Sequence, residues 1–423
     1  MSFSRPLRPC TLGVGIGCMQ QVLGWRCARK AAANLSRPAF GATRQAASVS
    51  LPIIDIAAYM DPLGRINRAD RRRSAQDLDE ACQATGFFYL VGHGVPEAEV
   101  RALHSAAQSF FTLPRGMKDA VAISEAPEGG RGYQRLGENV TQGKRDWHEA
   151  LDFYAEPAEG SVDLSLLTRS PGQCQTDAIE RMRPFVYGQN QWPSEPAGFR
   201  EIAESHFARM ATIGSALMEA MTDALQLPTG SLQPLTARSF WNARIIGYPP
   251  LPDPHLVAEI ELGLSCGEHT DYGCWTILSQ DETPGALEAQ RADGSWAKVE
   301  PMPGAFVVNL GDMLSVWTGG RYAATPHQVR QTVQGRFRTS VAYFHEPNFD
   351  ATISCLPVAA PPQQGYAHAR QLRLQRLREA GTITPALRRA LGSCESDNGA
   401  LIYGEHLFEK VDSNFAFVAK SEA

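Results

Sequence analysis

Two histidines and one aspartate in the second half of the chain have the residue types and the spacing of a metal site. His269 and Asp271 are two residues apart, and His327 follows Asp271 by 56 residues (327 − 271). Side chains two apart on a strand point to the same face, so one short strand can present His269 and Asp271 together while His327 returns on a partner strand. Two histidines and a carboxylate form the facial triad of non-haem Fe(II) sites, which leave coordination positions open. The sequence therefore predicts that these three residues bind one iron ion.

A second pair of residues, eleven positions further on, could bind an acid. Arg338 and Ser340 share one face of the strand-like run that continues to Phe344. A guanidinium binds a carboxylate through two parallel hydrogen bonds, and a hydroxyl on the same face can assist it. A metal site beside a carboxylate site is typical of an enzyme.

The motifs around these residues extend over most of the chain. They are L-P-I-I-D (51–55), A-C-Q-A-T-G-F-F-Y-L-V-G-H-G-V (81–95), G-Y-P-P (247–250), G-E-H-T-D-Y-G-C-W (267–275), P-G-A-F-V-V-N-L-G-D-M-L (303–314) and R-T-S-V-A-Y-F (338–344). In their order and spacing they resemble the 2-oxoglutarate- and Fe(II)-dependent oxygenases, in the branch that includes isopenicillin N synthase and the plant gibberellin and flavonoid oxygenases. The resemblance runs from about residue 51 to the end and weakens after about residue 350.

This resemblance implies the fold, the cofactors and the role of each residue. The implied fold is an α+β fold with a mainly β core: a double-stranded β-helix (jelly roll) with flanking helices and an N-terminal mixed α/β region. Fe(II) would be bound by the triad, and O₂ and 2-oxoglutarate would be consumed, with ascorbate in support. Arg338, Ser340 and Tyr248 would bind the far carboxylate of 2-oxoglutarate. The reaction would oxidise a small molecule and release succinate and CO₂.

Two other functions remain open from the residues. An oxidase of the isopenicillin N synthase or aminocyclopropane-carboxylate oxidase type uses no 2-oxoglutarate but carries the same R-x-S motif. A metal-binding jelly roll could also have no catalytic activity. The primary substrate is not identified by the sequence, and neither is the choice between hydroxylation, desaturation and ring closure. Arg131 and Tyr133 lie where some family members contact substrate.

Periodicity and turn residues predict the elements that position these side chains. Apolar residues at helical spacing predict helices over 71–85, 96–113 and 199–227. Short β-branched and aromatic runs predict strands at 51–56, 87–91, 244–248, 275–278, 286–290, 296–299, 305–309 and 341–344. The predicted segments are a leader at 1–50, an N-terminal oxygenase region at 51–165, a helical segment packing on the core at 166–235, a jelly-roll catalytic core at 236–347 and a C-terminal helical extension at 348–423.

The first 50 residues differ from the rest of the chain in charge. They contain seven basic residues and no acidic one, the pattern of a mitochondrial or plastid transit peptide. There are two alternatives: a secretory signal, or a leader without targeting function. A leader without targeting function would leave the protein cytoplasmic. Without the leader, 33 basic (40 − 7) and 45 acidic residues give a net charge of −12.

Composition also limits the partners and the cellular compartment. The acidic balance disfavours nucleic-acid binding, and no uncharged apolar run reaches the length of a membrane span. The oligomeric state is left open, and a monomer is compatible with the sequence. Nine cysteines without a C-x-x-C pair favour a reducing compartment over a disulfide framework. Cys266 and Cys274 flank the metal motif but are offset by odd numbers from His269, so on a regular strand they face away from the metal.

Overall fold

The structure is a computed structural model that describes residues 51–61, 67–123, 130–141, 144–167, 173–250, 264–291, 293–330, 336–358, 401–408 and 410. The predicted leader and residues 359–400 of the predicted C-terminal helical extension lie outside these residues. Within the described part of the chain, no helix has both the length and the apolar character needed to cross a membrane.

The strands, in chain order, are β1 Ile53–Asp55, β2 Phe87–Val91, β3 Gly132–Gln134, β4 Val140–Thr141, β5 Lys144–Arg145, β6 Glu149–Tyr154, β7 Asn242–Tyr248, β8 Leu264–His269, β9 Trp275–Gln280, β10 Leu287–Gln290, β11 Trp296–Lys298, β12 Phe306–Leu310, β13 His327–Arg330, β14 Arg338–His345, β15 Thr352–Ile353 and β16 Leu401–Ile402. The helices are α1 Ala57–Met60, α2 Arg68–Ala84, α3 Glu97–Phe111, α4 Arg115–Asp119, α5 Gln173–Tyr187, α6 Phe199–Ala224, α7 Gln233–Thr236 and α8 Asp312–Trp317, with a 3₁₀ turn at Leu164–Leu167.

Two sheets form the centre of the fold. The large sheet has eight strands in the order β1-β2-β12-β9-β14-β7-β6-β3, and the small sheet has four in the order β11-β10-β13-β8. Every pair within them is antiparallel except β1 with β2. These sheets with flanking helices confirm the predicted double-stranded β-helix. Strands from residues 51–165 lie in the same large sheet as strands from residues 236–347, and the division into segments stays a prediction.

Side chains alternate between the two faces of the large sheet, as the period of a strand requires. On one face, buried apolar residues form an inter-sheet core: Leu51, Phe87, Tyr89, Tyr248, Ala286, Leu287, Ala289, Val299, Val307 and Val329, with Ile246, Cys266 and Leu278 packed against them. On the other face, Leu151, Phe153, Ile245, Ile277, Val341 and Tyr343 form an outer core with the helices. Along each strand of the large sheet, every second residue therefore faces the inter-sheet space.

The long helix α6 covers the outer face of the large sheet. Its buried residues include Phe207, Met210, Ile213, Leu217 and Met221, the apolar stripe from which the sequence predicts this helix. Such a stripe is buried against the sheet rather than exposed to solvent, and it holds the strands that carry the site in place.

The structure differs from the sequence-based predictions at several elements. Strands β3 and β4 and helix α5 are additional to the elements predicted from the sequence. Strand β3 is held by its pairing with β6, which no local pattern encodes. Cys355 is disulfide-bonded, so the expectation of reduced cysteines is wrong for that residue.

Candidate metal centre and co-substrate pocket

The two histidines of the predicted triad face each other across a strand pair. His269 ends β8, His327 begins β13, and the two are register partners with ring centroids 4.2 Å apart. Asp271 lies beyond the end of β8, so the expectation that it shares a strand with His269 is wrong. The chain leaves the sheet there because the Asp271 carbonyl accepts a hydrogen bond from the N–H of Asp312 (2.8 Å) instead of a strand partner.

The ligand atoms of the three side chains nevertheless converge. Asp271 Oδ1 lies 3.6 Å from Nε2 of His269 and 3.7 Å from Nε2 of His327, and one ligand atom from each residue lies within 4.8 Å of the other two. Atoms at this separation can each reach an ion at roughly 2.1 Å, the usual distance for nitrogen and oxygen ligands. The side chains of Asp271 and His327 are buried, whereas His269 is half-buried.

Backbone carbonyls orient both imidazoles for metal binding. His269 Nδ1 donates to the carbonyl of Gly267 (2.8 Å), and His327 Nδ1 donates to the carbonyl of Thr325 (3.1 Å). A carbonyl only accepts, so the proton of each neutral ring must be on Nδ1. Nε2 is then left with a lone pair that faces Asp271, which is how metal-binding histidines are held.

The second oxygen of Asp271 is held by two polar side chains that the sequence did not indicate. Asp271 Oδ2 accepts hydrogen bonds from the hydroxyl of Thr276 and from Asn309 Nδ2 (2.7 Å). Thr276 on β9 and Asn309 on β12 are register partners, so both side chains lie on the inter-sheet face. Their donors orient the carboxylate and leave Oδ1 turned toward the histidines.

Electrostatics in the metal-free site follow from this arrangement. Burial raises the pKa of the Asp271 carboxyl, but His327, His269 and the two hydrogen bonds outweigh burial and hold it below its usual value. Burial, with His269 beside it, lowers the pKa of His327 to about 4. Burial lowers the pKa of His269, but Cys266 and Asp271 outweigh burial and raise this pKa to about 10. Asp271 is therefore ionised and His327 neutral at neutral pH.

The predicted co-substrate residues lie together on the inter-sheet face. Arg338 on β14 and Tyr248 on β7 are register partners, and the Arg338 guanidinium carbon lies 4.6 Å from the centre of the Tyr248 ring. Ser340 Oγ donates to the Tyr248 hydroxyl at 3.4 Å. Burial raises the pKa of Tyr248, so its hydroxyl is protonated at neutral pH. The structure thus brings together all three residues that the sequence predicted.

Arg338 has hydrogen-bond donors that no described residue accepts. Its side chain is 1% exposed, and Nη2 donates to Gln280 Oε1 at 3.2 Å. Nε and Nη1 are buried without a partner among the described residues, and so is Nε2 of Gln280. Because orphaned buried donors are costly, a carboxylate such as that of 2-oxoglutarate fits this position. Gln280 is a pocket residue that the sequence did not indicate.

Two residues considered for substrate contact lie elsewhere. Tyr133 belongs to the outer core, and its hydroxyl donates to Glu149. Arg131 is fully buried and donates to the carbonyls of Phe185 and Ala155. Both side chains bind other parts of the protein, and neither is directed into the inter-sheet space.

Cys266 does not face away from the site as strand parity predicted. Its Sγ lies 3.8 Å from Nδ1 of His269, because irregular register between β8 and β13 breaks the alternation. Cys266 also clusters with Asp146 and His148 within 4.8 Å. This cluster is a poor metal site, because both Asp146 oxygens already accept hydrogen bonds, from the Gly267 N–H and from side chains.

Family models and known proteins match most of this chain. The model described as "non-haem dioxygenase in morphine synthesis N-terminal" matches residues 51–195, and the model of the 2OG-Fe(II) oxygenase superfamily matches residues 236–347. A homoarginine-6-hydroxylase from Oryza sativa subsp. japonica is 34% identical, covering 86% of this chain and 98% of its own length. A homoarginine-6-hydroxylase from Arabidopsis thaliana is 33% identical over 87% and 98%. A 1-aminocyclopropane-1-carboxylate oxidase from Dictyostelium mucoroides is 26% identical over 73% and 84%.

Solved structures share the fold. A full-length Neurospora crassa protein, solved in complex with α-KG, is 20% identical, with a TM-score of 0.63 over 85% of this chain and 95% of that one. A 2OG-Fe(II) oxygenase family protein from Caulobacter crescentus is 26% identical, with a TM-score of 0.59 over 79% and 100%. With the matched family models and the facing His-Asp-His side chains, the chain belongs to the 2OG-Fe(II) oxygenase superfamily and is a 2-oxoglutarate-dependent non-haem iron dioxygenase.

Proposed function

We propose that His269, Asp271 and His327 bind the iron, and that Arg338, Tyr248 and Ser340 bind the far carboxylate of 2-oxoglutarate. The observation that carries the second assignment is the buried Arg338 guanidinium, whose Nε and Nη1 find no acceptor among the described residues. A carboxylate is the acceptor that matches its planar fork.

The chain's own residues account for the positioning that the reaction needs. When bound, Fe(II) supplies the oxidative decarboxylation of 2-oxoglutarate to succinate and CO₂ together with oxidation of a substrate C–H bond. The three side chains would hold the ion while leaving positions open to reactants. Arg338 fixes one end of the co-substrate, while the apolar inter-sheet core around Leu278 and Val307 excludes water.

The proposed substrate is a small amino acid that carries a guanidinium group, homoarginine, and the proposed reaction is its hydroxylation. Support comes from relatives named homoarginine-6-hydroxylase, which are 30–34% identical and are covered over 89–98% of their own lengths. The test is succinate release in the presence and absence of homoarginine. Succinate formation that homoarginine does not increase would remove homoarginine as the substrate.

The co-substrate assignment is tested by replacing Arg338 with Lys. Because an ammonium cannot reproduce two parallel hydrogen bonds, Arg338→Lys should weaken 2-oxoglutarate binding about tenfold or more and leave Fe(II) affinity unchanged. The control is Arg330→Lys, since Arg330 pairs with Glu288 and its side chain is 49% exposed. Equal 2-oxoglutarate affinity in Arg338→Lys and the wild type would contradict the assignment.

For the leader, we propose a transit peptide that directs the protein to the mitochondrion or the plastid. The support is the seven basic and no acidic residues before residue 51. A fluorescent protein fused to residues 1–50 should accumulate in one of these organelles, whereas a cytosolic signal would contradict the proposal.

A further inference from the structure

A buried carboxylate lies on the same inter-sheet face as the iron and co-substrate residues. Asp152 on β6 is the register partner of Arg244 on β7, and Arg244 is in turn the partner of Ala342 on β14. Ala342 pairs with Leu278 on β9, which packs against the inter-sheet core. Directly paired residues of an antiparallel sheet project to the same side, so the Asp152 side chain also faces the inter-sheet space.

Asp152 lacks the hydrogen bonds that a buried carboxylate needs. The residue is 3% exposed, and its Oδ2 has no partner among the described residues. Oδ1 lies 3.6 Å from Nε of Arg244, and that Nε makes no hydrogen bond to any described residue either. Burial raises the pKa of Asp152 to about 6, although Arg244 opposes the shift. A buried anion with an unfilled acceptor is costly unless something else supplies the donors.

The neighbouring Arg244 forms an ion pair with Oδ1 of Asp152 but leaves Oδ2 without a donor. Arg244 Nη2 donates to Gln134 Oε1 and to Asn139 Oδ1 (3.2 Å). On the side of Asp152 away from Arg244, its partner on β3 is Gly132, and Ala150 lies two residues before it on β6. No bulky side chain therefore projects from these two positions toward the carboxylate.

A series of contacts connects this carboxylate to the candidate metal centre. Arg244 Nη2 lies 3.5 Å from Nε2 of His148, and His148 clusters with Cys266. Cys266 Sγ in turn lies 3.8 Å from Nδ1 of His269. Asp152 therefore lies on the His269 side of the candidate metal centre, with Arg244, His148 and Cys266 between them.

From these observations we infer that Asp152 binds a cationic nitrogen group, a guanidinium or an ammonium, of the primary substrate. The inference rests on the proposed function, since a substrate must occupy the inter-sheet space next to the iron. Either group brings several N–H donors and one positive charge, which would satisfy Oδ2 and compensate the buried anion.

The experiment measures ligand binding, without turnover, to anaerobic enzyme loaded with Fe(II) and 2-oxoglutarate. Three ligands are compared by calorimetry: homoarginine, homocitrulline, in which a neutral urea replaces the guanidinium, and 6-guanidinohexanoic acid, which lacks the α-ammonium. Wild-type enzyme should prefer homoarginine over one of the two analogues by about 30-fold or more, the loss expected when a buried charge pair is broken. The analogue that binds poorly identifies which cation Asp152 contacts.

The decisive variant is Asp152→Asn, which keeps the size of the side chain and removes its charge. Asp152→Asn should bind homoarginine and the analogue that wild-type enzyme binds poorly about equally. Asp152→Glu should still prefer homoarginine over that analogue. The matched control is Glu149→Gln, a buried carboxylate on the same strand that binds Lys118 (2.6 Å) and Tyr133 instead of facing the inter-sheet space. Glu149→Gln should keep the wild-type preference.

Undiminished preference in Asp152→Asn would overturn the inference, and so would wild-type enzyme that binds homoarginine no tighter than either analogue. If Asp152→Asn does not fold, the wild-type comparison and Asp152→Glu decide. A wider panel of arginine, lysine and agmatine distinguishes two outcomes: that homoarginine is not the substrate, and that Asp152 does not bind a cationic group. Asp152-dependent binding of one of these without homoarginine turnover would remove only the substrate, whereas binding of none of the cations would overturn the inference.

Discussion

The two oxygens of Asp271 have different partners, and this difference organises the candidate metal centre. Oδ2 accepts from Thr276 and Asn309, while Oδ1 faces both histidines. Residues that orient a metal-binding carboxylate are commonly as necessary as the carboxylate itself. Asn309, whose side chain donates to Asp271 Oδ2, is the residue with which this effect can be tested.

We expect Asn309→Ala to lower Fe(II) affinity about 10–100-fold, because one of the two donors that orient Asp271 is lost. Equilibrium titration of metal-free protein with Fe(II) under anaerobic conditions measures it. The control is Asn348→Ala, a buried asparagine that binds the Arg238 N–H and the Pro234 carbonyl and should affect stability but not the metal. Wild-type Fe(II) affinity in Asn309→Ala would contradict this account of the site.

At the residue scale, the sequence predicted the groups whose identity is chemically unusual. The spacing of His269 and Asp271, the later His327 and the R-T-S motif at Arg338 led to residues that the structure brings together. The sequence did not indicate Asn309 or Asp152, because an asparagine or aspartate within an apolar strand has no distinctive pattern. Their meaning depends on strands that pair across long stretches of chain.

At the scale of elements, the approach of α6 to β14 depends on one glycine. A Cβ built on Gly214 would lie 2.4 Å from Nδ1 and 2.6 Å from Cγ of the His345 ring. His345 is fully buried and ends β14, so its ring has little room to move. The helix therefore contains a residue of low helix propensity because close packing requires it.

We expect Gly214→Ala to lower the free energy of unfolding by on the order of 1 kcal/mol, since overpacking costs about 1–3 kcal/mol and improved helix propensity returns at most about 1 kcal/mol. Urea denaturation measures the change. Gly116→Ala in α4, where an added Cβ meets nothing within 4 Å, should instead be neutral or stabilising. Increased stability of Gly214→Ala would show that the ring is not packed as described.

Elements with a local signal were predicted well, and elements that depend on distant partners were not. Strand β2 agrees with its predicted range of 87–91, and α6 agrees with its predicted start at Phe199. Strands β3 and β6 carry no clear alternation because both of their faces are buried. Strand β14 contains both Arg338 and Ser340, as the strand-like run that continues to Phe344 predicted, and it ends one residue later at His345.

At the scale of the whole molecule, burial keeps several histidines neutral. Burial lowers the pKa of His93, of His104 to about 4, of His206 to about 3, of His345 to about 4 and of His406 to about 3. In the unfolded chain each would titrate near about 6.5. The unfolded state therefore binds more protons below that pH, and the contribution of these groups to stability, fully present above about pH 6.5, is lost as the pH falls toward 4.

His206 allows this acid sensitivity to be tested with one substitution. His206→Leu removes a titrating group, so its free energy of unfolding relative to wild type should improve by about 2 kcal/mol between pH 7 and pH 5. Urea midpoints of both proteins across this range measure the difference. Parallel pH dependences would show that His206 is not held neutral in the fold.

The fold class followed from the motif resemblance more than from the strand pattern. Short strands separated by turns are compatible with many sandwiches and barrels, whereas the order of the motifs from residue 51 onward selects one family. Local reasoning could not predict that β1 and β2 extend the sheet that carries Thr276 and Asn309, because that pairing joins residues more than 200 positions apart.

The central claim is that oxidation by this protein is coupled to decarboxylation of 2-oxoglutarate held by Arg338. The most direct test measures succinate formed per O₂ consumed, with Fe(II), ascorbate and homoarginine present. The account predicts equal amounts of succinate and consumed O₂, both dependent on added 2-oxoglutarate. Substrate oxidation without 2-oxoglutarate and without succinate would contradict it in favour of the oxidase type, and no O₂ uptake with any 2-oxoglutarate and substrate combination would indicate a non-catalytic metal-binding protein.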